Sequence, residues 1–308
     1  MSEPALPAEM VHLPFDAGAY RMAMDLTSVP ESDWFEFDRL YKAEMAEKRR
    51  LLASRHAEVF ATLPVAGAAG REALSLIAAA LTGHHPDWFS RDGAELRNHL
   101  TGETWVIGGA TVEPGGGGAS IDPLECAERL VQEDLCLIQE IGGAPVFTAA
   151  ALCFPSRWRL TDKIGKPLSE VHAPVPLYQQ RLARPVDRFM RHVKPGHIAC
   201  RLNWSLLDDP ALFQPEGKWR SEGASGITPE NAGQRVFLRV ERQTLRRLPV
   251  SAAVLFGIRV HVYPLRLVID SPRRAARLEQ AIRALPPEVQ HYKSLLPFRD
   301  ALLAWLRR

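Results

Sequence analysis

Five short strand-like runs between positions 133 and 263 constrain the fold more than any other feature of the sequence. The first two, Glu133–Glu140 and Pro145–Cys153, are separated by Gly142-Gly143, a pair that favours a tight hairpin. The other three are Ile198–Leu206, Arg235–Thr244 and Ala253–Tyr263. Side-chain character alternates along the third and fourth runs, and a period of two places alternate side chains on opposite faces of a sheet. The pattern therefore predicts an α+β protein with one five-stranded antiparallel sheet.

Helical periodicity flanks and interrupts these strands. The predicted helices are Trp34–Arg55 and Gly70–Leu81 before the sheet, material within residues 159–193 between its second and third strands, and Arg273–Leu285 and Leu295–Arg308 after it. We therefore expect an N-terminal helical extension over residues 1–125, a core over 126–270 and C-terminal helices over 271–308. A chain of 308 residues can bury a sizeable core without disulfides or metal.

Charge and cysteine usage exclude several classes of protein. Thirty-eight basic and 36 acidic residues give a net charge of +2, which indicates neither a nucleic-acid nor a membrane partner. The four cysteines, Cys126, Cys136, Cys153 and Cys200, contain no CxxC pair, which argues against a zinc or iron–sulfur site held by this chain. The start resembles no signal peptide, and no apolar run approaches ~18 residues. We expect a cytoplasmic protein with reduced thiols.

The segment from Cys153 to Pro176 contains the first candidate for chemistry, His172. Pro167 is well placed to start a short helix, because its missing N–H would be unpaired there. His172 falls at the end of that helix, and Pro174 and Pro176 stiffen the backbone after it. A histidine on a stiff corner beside an apolar cavity suits an axial haem ligand. A histidine that simply forms hydrogen bonds at a helix end is the alternative.

Polar residues on the strands form the second candidate. Arg201 and Asn203 share one face of the third predicted strand, and Arg239, Glu241 and Gln243 share one face of the fourth. Such a stripe is either the solvated side of a half-buried strand or the wall of a polar pocket that orients a small ligand. For Glu241, a salt bridge to Arg239 or to Arg242 is the alternative to ligand binding.

Four stretches in a fixed order carry a resemblance to a known family: PSRW, DKIGKPLSEVHAPVP, RLNWS and LRVERQTLRRLP. They resemble the haem-dependent oxidative N-demethylase alpha-subunit family, and the similarity runs from Pro14-Phe15 to the Tyr292-Lys293 region. The resemblance implies a haem-binding fold similar to a PAS domain, which agrees with the predicted strand order. No CxxCH attachment motif is present, so the haem would be a non-covalent haem b.

The resemblance also implies roles for individual residues. His172 matches the family's histidine and is expected to be the proximal haem ligand, with His197 and His261 as weaker candidates. Further cofactor contacts are expected from Asn203, Trp204 and Gln243, and catalytic roles from Arg201, Arg239 and Glu241. Arg239 is the first choice for a residue beside bound oxygen. If the polar strand face lies outside the pocket, the N-terminal region with Glu72 is the place to search.

The activity implied by the resemblance is oxidative N-demethylation of a small secondary amine, such as dimethylamine, to a primary amine and formaldehyde. Electrons would come from NADPH through partner subunits that carry FMN and a [2Fe–2S] centre. Two other classes stay open: a haem-PAS gas or redox sensor without amine turnover, and an interaction protein without cofactor that uses the Arg239–Arg247 segment as its surface.

Overall fold

The computed structural model describes residues 6–17, 22–220 and 226–308. Within these ranges the strands are β1 (Thr27–Val29), β2 (Phe60–Thr62), β3 (Phe89–Asp92), β4 (Glu95–Asn98), β5 (Thr104–Val106), β6 (Glu113–Pro114), β7 (Asp134–Ile141), β8 (Ala144–Ala151), β9 (Ile198–Leu207), β10 (Phe237–Arg247) and β11 (Val254–Pro264). The predicted strands in the second half are therefore present with boundaries shifted by a few residues.

Helices surround these strands. They are α1 (Tyr41–Ser54), α2 (His56–Val59), α3 (Gly67–His84), α4 (Pro123–Glu128), α5 (Leu168–Val171), α6 (Tyr178–Arg181), α7 (Ala183–His192), α8 (Ala232–Arg235), α9 (Leu265–Val268), α10 (Pro272–Ala284), α11 (Pro287–Tyr292) and α12 (Arg299–Leu306). Helices α5 to α7 occupy the segment between β8 and β9 that was expected to be helical or irregular.

The main sheet has seven strands in the order β1-β9-β10-β11-β7-β8-β2, and every neighbouring pair is antiparallel. Its five central strands are the predicted ones. Two three-residue strands from the N-terminal part, β1 and β2, pair with β9 and β8 respectively. They cover part of the edges that β9 and β8 would otherwise leave open. A second sheet, β3-β4-β5-β6, lies within the N-terminal region that was expected to be helical. The α+β class is confirmed, and the five-strand count is corrected to sheets of seven and four.

The β7–β8 hairpin forms as predicted. Ile141 faces Ala144 across the turn, and the two glycines between them have positive φ angles of 60° and 79°. A two-residue turn with both residues in the left-handed region matches the twist of the strands, and glycine adopts this conformation at low cost.

The two faces of the main sheet have different coverings. We call the face that carries Cys136, Glu241, Gln243 and Ile258 the cavity face; it is covered by the α5–α7 segment. The opposite face, which carries Val240, Arg242, Arg259 and His261, we call the helix face. The N-terminal segment with α1 and the C-terminal helices cover the helix face. Three apolar clusters fill these layers.

Buried ion pairs join α1 to the helix face. The Arg259 guanidinium lies 2.7 Å from Asp38 Oδ2 and 2.8 Å from Glu44 Oε2, and none of the three side chains is more than 7% exposed. Asp38 Oδ1 also accepts a hydrogen bond from the Leu40 backbone N–H at 2.8 Å, next to the start of α1. Helix α1 begins at Tyr41 rather than at Trp34, because the backbone N–H groups of Glu36 and Asp38 donate to the side chains of Glu133 and Gln132 instead of to a helix.

Helix α3, taken with the turn before it, is long and apolar enough by length and composition to cross a membrane. Half of the window that meets this criterion is buried inside the fold. Its buried side chains, which include Leu74, Ile77 and Leu81, pack in the cluster between the sheet and the N-terminal region. Burial of this kind is typical of a core helix.

The Arg259 ion pairs generate the first prediction. Arg259→Leu removes the cation and leaves Asp38 and Glu44 buried without their partner, so the free energy of unfolding should fall by about 3–5 kcal/mol. The matched control is Arg266→Leu, because the Arg266 side chain is exposed. That control should change the free energy by less than about 0.5 kcal/mol. Urea unfolding at neutral pH measures both, and equal stability of the two variants would contradict the role given to Arg259.

Candidate functional site

A cavity of about 930 Å³ lies between the cavity face and the α5–α7 segment. Cys136, Ile138, Phe147, Leu245 and Ile258 from the sheet line it. Side chains from the covering segment complete the apolar wall: Leu168, Val171, Val175, Leu182, Val186 and Met190. The cavity continues around the edge of β9 toward Phe15 and Met22. Its volume is near the upper end of the range for ligand pockets, about 300–1,000 Å³.

His172 lies in this wall immediately after α5. Its Nδ1 is 2.8 Å from the Leu168 carbonyl oxygen, and because a carbonyl only accepts, Nδ1 carries the proton. The Nε2 atom then has a lone pair, and it has no hydrogen-bond partner among the described residues. This is the tautomer that a metal-ligating histidine needs.

Two further contacts fix His172. Its ring stacks on Tyr178 with centroids 4.5 Å apart and planes inclined by 11°. Helix α5 is itself anchored to β8, since Phe147 N–H donates to the Lys166 carbonyl and Gly165 N–H donates to the Phe147 carbonyl. Burial lowers the pKa of His172 to about 4. The imidazole is therefore neutral at physiological pH and held in one orientation.

Glu241 faces the cavity from the middle of β10. Asn203 Nδ2 donates to its Oε2 at 3.2 Å, and Gln243 Nε2 donates to the same oxygen at 2.7 Å. The two amides hold the carboxylate in place without neutralising its charge. The alternative of a salt bridge is wrong for Arg242, which lies on the helix face and pairs with Glu36 at 3.0 Å. Within the described ranges Glu241 has no ion pair to Arg239 either.

The cavity wall also contains three lysines that the sequence analysis missed. Lys218 Nζ donates to Tyr292 Oη at 2.5 Å, Lys293 Nζ to the Trp204 carbonyl at 2.6 Å, and Lys163 Nζ to the Val171 carbonyl at 2.6 Å. Burial lowers the pKa of Lys218 to about 7, and those of Lys163 and Lys293 to about 8. The three come from separate segments, so no local pattern joins them. Their rarity is the usable signal, because the chain has only seven lysines.

Arg201 lines the cavity as predicted, and its charge contributes to the low pKa of His172 and of Lys293. The predicted placement of Arg239 in the pocket is wrong. Arg239 points to the same side of β10 as Glu241, but its guanidinium donates to the carbonyls of Phe154 at 2.8 Å, Ala211 at 3.1 Å and Leu212 at 3.1 Å. It is 1% exposed and absent from the cavity wall, so it ties two loops to the sheet.

The remaining predicted residues lie in different places. Trp204 is on the helix face, edge-on to Phe15 at 6.4 Å, and meets the cavity only where it passes the β9 edge. His197 is exposed outside the cavity. His261 lies on the helix face, bonded to Glu36 at 2.9 Å. Glu72 accepts hydrogen bonds from the backbone of the β10–β11 turn and is not part of the cavity wall.

Two clusters of potential metal ligands occur among the described residues: His12–Glu36–His261 and Glu128–Asp134–Cys153. A cationic side chain already balances each of them. Arg242 Nε lies 3.0 Å from Glu36 Oε1, and Lys48 Nζ lies 2.7 Å from Glu128 Oε1. A metal ion would stand against a buried cation in both places, so we interpret them as ion-pair networks.

The cavity, by contrast, fits a haem. His172 offers a neutral imidazole with Nε2 available, and the aliphatic and aromatic wall suits a flat apolar macrocycle. The lysines of the wall, Lys163, Lys218 and Lys293, would supply cations for the two propionates. Asn203 and Gln243 line the cavity too, although their amides are occupied by Glu241.

The sequence matches a model of a known protein family. The model described as "Haem-dependent oxidative N-demethylase, alpha subunit-like" matches residues 25–303, which include every strand of the main sheet, His172 and Glu241. The match covers most of the 308 residues. The sequence resemblance is thereby confirmed, and the chain belongs to the haem-dependent oxidative N-demethylase alpha-subunit-like family.

Proposed function

We propose that this chain is the catalytic subunit of an oxidative N-demethylase that converts a small secondary amine, similar to dimethylamine, to a primary amine and formaldehyde. The observation that carries the proposal is that one cavity contains both a neutral, oriented imidazole at His172 and a carboxylate at Glu241 held by two amides. The first suits a haem iron, and the second suits an ammonium substrate.

The order of the central strands supports a PAS-like core within the larger sheet. In chain order the five strands run third, fourth, fifth, first, second across the sheet, with the helical segment between the second and third. His172 lies in that segment and faces the sheet across the cavity, the position expected for a proximal ligand in a haem-bearing PAS domain. The cofactor proposed for this position is haem b.

Haem, when bound, supplies the activation of dioxygen. The chain's own residues supply ligand geometry, charge and exclusion of water. His172 Nε2 would hold the iron, and Leu168 and Tyr178 fix the orientation of its ring. Arg201 places a fixed positive charge on the same wall, where it would favour negative charge that develops on oxygen.

Glu241 and Lys218 set the charge around the bound amine. The Glu241 carboxylate attracts the ammonium form into an otherwise apolar cavity. Lys218 Nζ, with a pKa of about 7, is partly deprotonated at neutral pH, so it repels the bound ammonium less than a fully charged lysine would.

Electrons are proposed to come from NADPH through partner subunits with FMN and a [2Fe–2S] centre. The four cysteines are all buried and unpaired, and the sequence contains no dinucleotide fingerprint. These features support a division of labour between subunits and a reducing, cytoplasmic location. The isolated chain should therefore turn over poorly with NADPH, and sustained NADPH-driven formaldehyde release by it alone would contradict the proposal.

The second prediction tests the haem ligand. His172→Gly should lose most of the haem, and added imidazole should restore the Soret absorbance because it replaces the missing ring. His197→Gly is the control, since His197 is exposed and outside the cavity. It should bind haem as the wild type does. A wild-type spectrum in His172→Gly without imidazole would remove His172 from this role.

The third prediction tests the amine site. Glu241→Gln keeps the shape but removes the charge, so the dissociation constant for dimethylamine should rise about tenfold or more. Amine-induced changes in the haem spectrum measure the constant, and Glu140→Gln, an exposed carboxylate on β7, is the control. Haem content should be unchanged in both. Wild-type protein that binds haem but gives neither an amine spectrum nor formaldehyde with an artificial electron donor would instead be a sensor or haem-binding module.

The fourth prediction concerns pH. The rate at which Lys218 reacts with a trace of acetic anhydride should reach half its maximum near pH 7, because only the deprotonated amine reacts. Glu241 raises the pKa of Lys218, so Glu241→Gln should move the midpoint to lower pH. Mass spectrometry of the labelled peptide measures the rate, with exposed Lys166 as the internal reference. An unshifted midpoint would show that Glu241 does not act on Lys218.

A further inference from the structure

The outer surface of the segment that covers the cavity is strongly basic. Residues 178–197 contain five basic residues and one acid, a net charge of +4, so the rest of the chain has a net charge of −2. The five are Arg181, Arg184, Arg188, Arg191 and Lys194, and every one of them is exposed. We call this set the α7 basic surface.

These cations have no carboxylate partner within 4.0 Å among residues 6–17, 22–220 and 226–308. Some exposed arginines on other helices do have such a partner. Arg50 pairs with Glu47 on α1, and Arg283 pairs with Glu279 on α10, each within one helical turn. The single acid of the segment, Asp187, is within one turn of both Arg184 and Arg191 and cannot balance the group. The α7 basic surface therefore presents uncompensated positive charge to solvent.

The inner face of the same segment lines the cavity. Leu182, Val186 and Met190 recur at a spacing of four residues and contact the cavity, while Arg184 and Arg188 project from the opposite side. One helix thus separates the α7 basic surface from the space that the cofactor is proposed to occupy. A partner bound on the outside would lie a single helix thickness from that space, since a helix with its side chains is about 10–12 Å across.

We propose that the α7 basic surface is the docking site for an acidic, one-electron-donating iron–sulfur protein, which delivers electrons to the cavity through α7. This rests on the proposed function, in which the chain receives its electrons from a partner. Electron-transfer encounters are small and transient, and complementary charge sets their rate more than buried area does. Unpaired cations over the cavity are the arrangement that steers such a partner.

The experiment is stopped-flow reduction of the haem-loaded protein by a pre-reduced acidic [2Fe–2S] ferredoxin. In the wild type the second-order rate constant should fall steeply between low and high ionic strength, because steering is screened. Arg184→Glu/Arg188→Glu/Arg191→Glu should lower the rate constant at low ionic strength about tenfold or more and remove the salt dependence. The triple lysine variant at the same positions should keep most of the wild-type rate.

The matched control is Arg235→Glu/Arg266→Glu/Arg273→Glu. These three arginines are also exposed, and the net charge changes equally, but they lie on α8 to α10 outside the cavity wall. The rate constant of this control should stay within about twofold of the wild-type value at high ionic strength. At low ionic strength it should fall by less than the rate constant of the α7 variant does. Equal losses in both triple variants would show a net-charge effect and overturn the proposal.

A second readout does not need haem. Calorimetric titration with oxidised ferredoxin should show binding that the α7 variant loses and the control retains. If the wild type binds ferredoxin in this way but takes up no haem, the docking surface stands and the proposed function fails. If the α7 variant instead loses binding to a short oligonucleotide or to anionic vesicles, with ferredoxin binding and reduction unchanged, the surface serves another ligand and the proposal is wrong.

Discussion

The buried ion pairs between Arg259, Asp38 and Glu44 determine how the rest of the structure is arranged. They hold the N-terminal segment and α1 against one face of the main sheet, where charges removed from water must remain paired. Two more buried ion pairs lie nearby, Arg242 with Glu36 and Lys48 with Glu128. Because the helix face and its surroundings satisfy their charges internally, the cavity face is the side on which Glu241, Lys218 and Lys293 remain available to a ligand.

Orientation of His172 depends on a second, local constraint. The Leu168 carbonyl accepts both the backbone N–H of His172 at 3.0 Å and its Nδ1–H at 2.8 Å. One oxygen therefore ends α5 and fixes the tautomer. Residues 165–167 are hydrogen-bonded to β8, so the His172 ring is held at a fixed position relative to the sheet. A ligand held in this way keeps its geometry without the metal, which lowers the cost of binding a cofactor.

Much of this could be predicted from the sequence where the information is local. Alternation along β9 and β10 predicted the correct faces, and Gly142-Gly143 predicted the hairpin. The stiff backbone around His172 was predicted from the prolines on either side of it, Pro167, Pro174 and Pro176. Arg239 shows what local patterns cannot predict. The alternation along β10 assigns it correctly to the cavity face, but its role depends on loops at residues 154–155 and 211–212 that fold over it. The three lysines of the wall and the edge strands β1 and β2 likewise come from distant segments, and no period in the sequence relates them.

The charges of the cavity then present a single physical problem. An anionic macrocycle and a cationic amine are proposed to share one space lined by Arg201, three lysines and one well-held carboxylate. Fixed cations throughout would hold the propionates but repel the amine. Lysines whose pKa values burial lowers to about 7 and 8 resolve the conflict, because those near an anion keep their protons and the others give them up at little cost. Arginine could not do this, since it stays charged at every physiological pH. In a chain with 31 arginines and seven lysines, three lysines in this wall are what the proposed site would need.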